Sequence, residues 1–281
     1  MITLKNEHLT VGINPFGAEL SSITDAAGRE YVWQGDPAYW SGRSPILFPI
    51  VGRLLSDSYV YNDTKYYLQK HGFARKSAFA LVSEDDSHAT FTLAATEDTK
   101  RVYPFDFLLT ADYSLSGKTL TVKNTVRNIG KEDMYFSFGA HPAFNIEIGD
   151  RVEFSETETF KTYLFNELGL ADGEKIFAEN TNSITITDHI FDGDALFFEN
   201  LKSTSATVVS EKDGALLKMT YGKAPFVGLW AKPGAPYVCI EPWHGICDNM
   251  TVSGKLEEKP HILRLGAGEK FVFPYTIEIL R

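Results

Sequence analysis

The strongest constraint on this chain is a two-residue period that recurs along most of its length. In Lys118–Asn128, Leu120, Val122 and Val126 fall on one face, and Thr119, Thr121, Lys123, Thr125 and Arg127 on the other. Such alternation marks a strand with one face buried and one wet. Turn residues punctuate these runs. Asp213-Gly214 separates Ala206–Val209 from Ala215–Met219, Asn62-Asp63 separates Tyr59–Tyr61 from Lys65–Leu68, and Ser116-Gly117 joins Leu108–Tyr113 to the strand at 118–128. Each pattern predicts a hairpin. Further strands are expected near 8–14, 18–24, 78–84, 89–95, 132–139, 226–231, 237–241, 261–265 and 271–279, and the N-terminal residues also read as a strand. No segment carries a long, capped apolar period of 3.6 residues. Short helical turns are expected only around Pro37–Trp40, Glu97–Val102 and Asp194–Asn200.

Many short strands with regular turns, and no linker or internal repeat, predict one all-β domain over residues 1–281. The strand count favours a large antiparallel β-sandwich, with a barrel as the alternative. The 20 Phe and 13 Tyr suit an architecture that buries two sheet faces.

Charge and composition narrow the partners. A net charge of −10 without any basic run argues against nucleic acid, which demands clustered Lys and Arg. No stretch approaches the ~20 apolar residues of a membrane span. Met1–Glu7 lacks the apolar region of a secretory leader. Cys239 and Cys247 are the only cysteines, too few for a disulfide framework or a cysteine zinc site, so they are expected to be reduced in a cytoplasmic protein. Monomer and homodimer both remain open.

Two segments concentrate the chemistry: Gly139-Ala140-His141-Pro142-Ala143-Phe144-Asn145 and Cys239-Ile240-Glu241-Pro242-Trp243-His244-Gly245. Each sets one titratable side chain at the end of an apolar run, directly before a proline. A proline cannot donate to a ladder, so His141 and Glu241 are expected at strand termini, facing outward from the scaffold. With ordinary pKa values near ~6.5 and ~4.3, an imidazole and a carboxylate make a donor and an acceptor near neutral pH. A third polar cluster spans Ser44–Arg53 and Lys70–Arg75, where prolines and glycines predict loops. Arg53 and Arg75 offer planar forks for hydroxyls, carboxylate or phosphate. Phe73, Phe144 and Trp243 offer aromatic faces nearby. His88, His189 and His244 read as structural. A metal site drawn from His71, His141, Glu241 and His244 finds no short ligand motif beyond Glu241 and His244, and no metal is expected.

Pro45-Ile46-Leu47-Phe48-Pro49, His71-Gly72-Phe73-Ala74-Arg75, His141-Pro142-Ala143-Phe144-Asn145 and Glu241-Pro242-Trp243 together resemble the aldose 1-epimerase (galactose mutarotase) family, and within it the small bacterial lactose-operon-type subgroup. The match runs in order from near residue 1 to near 280. The resemblance implies a β-supersandwich holding a sugar, free or phosphorylated, whose α and β anomers it interconverts without a cofactor. It implies Glu241 as general base, His141 as general acid, and His71, Arg75 and, more loosely, Arg53 as sugar contacts. An aspartate for distal hydroxyls would be Asp194, with Asp192 as the alternative; Phe144 and Trp243 would meet the sugar ring. Three other readings compete. One is a binding or sensing protein that kept the pocket and lost turnover, another a hexose-6-phosphate 1-epimerase. Glycoside hydrolysis is the third and ordinarily needs a facing pair of carboxylates.

Overall fold

The computed structural model describes all 281 residues and is built almost wholly of antiparallel strands. One sheet of 15 strands dominates. Its order starts at Ile46–Leu47 and passes through Phe138–Ala140, Tyr237–His244, Phe226–Trp230, Leu196–Glu199 and Arg151–Phe165. It continues through Ser205–Ser210, Gly214–Thr220, Lys270–Ile279, Thr119–Asn128, Phe107–Ser116 and His88–Ala94 to the edge strand Ala80–Glu84. A separate three-stranded sheet comprises Ile2–Lys5, Leu9–Asn14 and Glu19–Asp25.

The large sheet folds back on itself. Phe138, near one end of the strand order, packs its ring 6.1 Å from Phe271 and 6.0 Å from Phe273, which lie far along it. Phe48 and Phe107 meet in the same way at 5.0 Å. Alternating residues of both halves therefore share one core of 67 buried residues, which makes the architecture a β-sandwich. The three-stranded sheet closes one side, and the buried Tyr113 hydroxyl donates to Ala18 O at 2.6 Å. No helix is long and apolar enough to cross a membrane.

The hairpins follow their turn residues. Tyr61 pairs with Thr64 around Asn62-Asp63, both at positive φ, the conformation a tight two-residue hairpin requires. Ser116 pairs with Thr119 across a two-residue loop, whereas Ser210 pairs with Gly214 across three residues, with a register shift at Val208/Val209.

Three expectations need correction. Leu196–Glu199, read as helical, is a central strand paired with Phe226–Trp230; a short apolar run carries no period to separate the two forms. The strand expected at 132–139 breaks into Met134–Phe136 and Phe138–Ala140. The longest hairpin, Arg151–Phe165 with Ala171–Thr185, escaped the alternation pattern because register shifts interrupt its pairing four times and its second strand is largely exposed.

A buried ion pair fixes the chain just beyond Tyr237–His244. Lys259 Nζ lies 2.6 Å from Asp248 Oδ1, with side chains 3% and 5% exposed, and Asp248 Oδ2 accepts from Leu55 N at 2.8 Å. Removing one partner strands the other charge. Lys259→Met is therefore expected to lower unfolding free energy in urea by about 3–5 kcal/mol, and adding Asp248→Asn to recover part of it. Equal stability of Lys259→Met and the parent would show that the pair carries no such weight.

Candidate functional site

The site is laid out on the strand Tyr237–His244. Side chains two apart share a face, so Cys239, Glu241 and Trp243 point the same way. On one flank, Trp230, Gly228 and Phe226 pair with them in turn. On the other flank, Gly139 pairs with Trp243 and Ala143 with Cys239. The register is identical on both sides of His141-Pro142, which places His141 directly opposite Glu241 between those two pairings. Cross-strand neighbours of this kind hold their Cβ atoms about 4.5–5.5 Å apart, close enough for a carboxyl and an imidazole to meet.

Small residues surround the pair. A Cβ on Gly139 would come 2.6 Å from Trp243 Cδ1, and one on Gly228 would come 2.8 Å from Phe197 Cδ2. Larger side chains there would displace the aromatic walls. What opens above Glu241 is a cavity of about 540 Å³.

Glu241 is not at a strand end, as the following proline suggested. The strand runs through Pro242 to His244. Ile240 N–H donates to Pro142 O at 3.1 Å, so by alternation the missing N–H of Pro242 faces the same neighbour, where the ladder is broken at His141-Pro142. Nor do the two side chains face outward: His141 is 8% exposed and Glu241 3%.

His141 Nε2 lies 3.1 Å from Glu241 Oε2. Burial pushes the Glu241 carboxyl up to about 8; the Lys70 charge opposes this and Asp194 adds to it. Burial pulls the His141 imidazole down to about 3, with Lys70 and Arg75 acting in the same sense. Across the range between, the pair holds one proton, and the two titrations belong to the pair as a unit. Trp40 packs against the His141 ring at 5.1 Å, tilted by 30°, and Trp230 meets it edge-on at 5.8 Å.

His71 reaches the cavity from a left-handed backbone (φ 68°), a conformation uncommon outside glycine. Gly52 holds it there twice: His71 N–H donates to Gly52 O at 2.8 Å, and Gly52 N–H donates to His71 Nδ1 at 3.1 Å. An accepting Nδ1 puts the ring proton on Nε2. Burial lowers the pKa of His71, so the ring is a neutral donor. It stands edge-on to His141 at 5.9 Å and to Trp243 at 5.5 Å.

Arg75 lines the cavity, its Nη2 donating to Lys70 O at 2.9 Å. Asp194 and Asp192 line the rim; Asp194 Oδ1 accepts from Ala195 N at 2.8 Å, while Asp192 is 3.0 Å from His189 Nδ1. The structure thus gathers His71, Arg75, His141, Asp194, Glu241 and Trp243 around one space.

Two expected residues fall outside it. Phe144 is wholly buried in the main core and lines no part of the cavity, because alternation sends it to the face opposite Ala143. Arg53 pairs with Asp57 at 3.2 Å, and its Nη1 donates to Leu168 O at 3.2 Å. Arg53 thereby ties down the tip of the long hairpin, whose Phe165 and Gly169 wall the cavity. His244 points to the opposite face, with Phe271 and Phe273 each 4.9 Å away.

Sequence reasoning missed Trp40, Lys70, Trp230 and Lys232, which also line the cavity. Trp230 had a signal: it ends a strand just before Lys232-Pro233-Gly234, much as His141 precedes Pro142. Trp40 had none, since only tertiary packing brings it to His141.

The whole chain resembles known proteins. The chain is 35% identical, over 99% of both proteins, to the chromosomal protein LacX of Lactococcus lactis. Its fold matches a galactose mutarotase related enzyme from Lactobacillus acidophilus at TM-score 0.94 and 32% identity, covering 100% of this chain and 97% of that one. A galactose mutarotase-like protein from Lactobacillus casei matches at TM-score 0.94 and 28% identity, with 99% of each chain covered. The aldose 1-epimerase family model matches residues 1–277, and the chain belongs to that family.

Proposed function

We propose that this protein interconverts the α and β anomers of an aldose by opening and reclosing its hemiacetal ring. The observation that carries the reading is the buried His141–Glu241 contact at 3.1 Å on the floor of a cavity with aromatic walls.

The proton inventory suits the reaction. One proton on the pair is what ring opening needs. From the tautomer with Glu241 ionised and His141 protonated, Glu241 takes the O1–H proton and His141 gives its own to O5. The C1–O5 bond breaks, C1 becomes the aldehyde, and the pair again holds one proton, now on Glu241. Rotation about C1–C2 presents the other carbonyl face, and reversal of both transfers closes the ring. No net charge develops on the pair at any stage.

The remaining groups hold the sugar. His71 Nε2–H donates to a ring or hydroxyl oxygen, Asp194 accepts from distal hydroxyls, and Arg75 donates at the rim. Trp40 and Trp230 offer faces to the C–H side of a pyranose.

A finer reading of the substrate rests on charge. Lys70, Arg75 and Lys232 line the cavity, and no carboxylate lies within 4.0 Å of any of them. Unpaired cations at the mouth of a site in a chain of net charge −10 favour a phosphorylated aldose over a neutral one.

Saturation transfer at C1, with glucose, galactose and glucose 6-phosphate side by side, tests both readings. Accelerated exchange is expected, strongest with the phosphate, and Glu241→Gln or His141→Gln is expected to reduce it by roughly 10²–10⁴-fold. A Glu241→Gln variant that binds sugar normally while the parent shows no exchange would instead mark a binding protein.

The rate is expected to fall as pH rises through about 8, where the pair loses its proton, and again as pH drops toward about 3, where it gains a second. A flat profile across that span would contradict the acid–base roles.

Stability should follow the same groups. The carboxyl of Glu241, raised from 4.5 to about 8, contributes fully below 4.5 and progressively less as pH rises through 8. Glu241→Gln is therefore expected to raise the melting temperature more on the alkaline side of 8 than below 4.5. A pH-independent difference would place Glu241 in a wet environment.

A further inference from the structure

We propose that His141, Cys239 and Glu241 form a binding site for a thiophilic divalent cation such as zinc, and that the metal blocks the acid–base pair rather than assisting it.

The site follows from the ladder. Cys239 and Glu241 share a face of one strand, and His141 stands opposite Glu241 on the next. Their ligand atoms, one sulfur, one nitrogen and one oxygen, all lie within 4.8 Å of one another, and all three residues are buried. Zinc takes such donors at about 2.0–2.3 Å, which sets tetrahedral neighbours about 3.3–3.6 Å apart. The His141–Glu241 contact of 3.1 Å is already close to that spacing, and the sulfur needs to close by little more than 1 Å. Glu241 and His141 line the cavity, so an ion entering from solvent meets them first and Cys239 behind them. The fourth position then faces the cavity, the arrangement of three protein ligands with one exchangeable place.

Cys239 has no part in the proposed proton transfers, and without a metal it is a small buried apolar side chain. On binding, the Cys239 S–H proton and the proton held by the His141–Glu241 pair both pass to solvent as the three ligands bond the metal, and no electron is transferred. The metal occupies the His141 Nε2 lone pair and a Glu241 oxygen, the same electron pairs the sugar's protons need. Binding rests only on the geometry, whereas inhibition also rests on the epimerase reading.

Titration calorimetry with zinc(II), and the ultraviolet thiolate band with cadmium(II), test binding directly. One metal per chain and a cadmium–thiolate band are expected. Cys239→Ala should abolish the band and weaken zinc by at least about 10–100-fold, and His141→Gln should weaken zinc comparably with the thiol retained. Cys247→Ser, which removes the other cysteine, should leave both intact. Circular dichroism confirms that each variant is folded. Zinc should also slow anomer exchange in the parent protein, with a chelator restoring it. Absence of zinc binding, or binding and a band that survive Cys239→Ala, overturns the site. Binding that requires Cys239 and His141 but leaves anomer exchange unaffected upholds the site and overturns the block. If no sugar exchanges at all, the metal titrations still decide the site while the epimerase reading falls.

Discussion

A carboxyl and an imidazole held 3.1 Å apart and out of water are what the centre of this molecule is arranged around. Withdrawing two ionisable groups from solvent is costly unless they satisfy one another. Here the cost falls because the pair carries one proton and can sit neutral. Burial drives the carboxyl up and the imidazole down, and both shifts favour the neutral form. In the proposed reaction the same neutrality would let a proton pass through a substrate and back without stranding charge in a low-dielectric space.

Holding that contact requires a sheet that is regular in register and broken in hydrogen bonding. The register carries unchanged through His141-Pro142, which sets His141 across from Glu241. The prolines on both strands open the ladder there. Gly139 and Gly228 leave room for the indole of Trp243 and the ring of Phe197, and the fold of the large sheet over its own core keeps the platform rigid. The cavity walls come from elsewhere: the turn bearing Trp40, the loop that holds His71 against Gly52, and the tip of the long hairpin tied by Arg53. A rigid floor with walls from separate loops is the arrangement in which recognition can change while the chemistry stays fixed.

Similarity to mutarotase-like proteins extends over the full chain, floor and walls alike. The unpaired cations Lys70, Arg75 and Lys232 belong to the walls, and there the choice of sugar would be made.

Strand-forming segments and hairpins were legible in the sequence, because alternation and turn chemistry are local. Asn62-Asp63 needs only its own backbone to make a tight turn, and Leu120, Val122 and Val126 declare their face without reference to a partner. His141 and Glu241 were legible as a pair of candidates because each precedes a proline beside an apolar run. Their burial was not legible, because a proline that ends a strand and one that faces a broken ladder look the same along the chain. Phe144 and Arg53 sat in the right motifs but on the wrong side of their backbones, a matter of register and packing. Trp40 joined the site only because tertiary packing lays its ring against His141, and Trp230 because its strand pairs with Tyr237–His244. The sequence by itself determined the strands, their faces and the residue types available for chemistry, since these depend on neighbours one or two positions away. Tertiary structure alone decided which of those residues share one water-poor space, and so which can exchange a proton, because proximity and desolvation are properties of the assembled sheet.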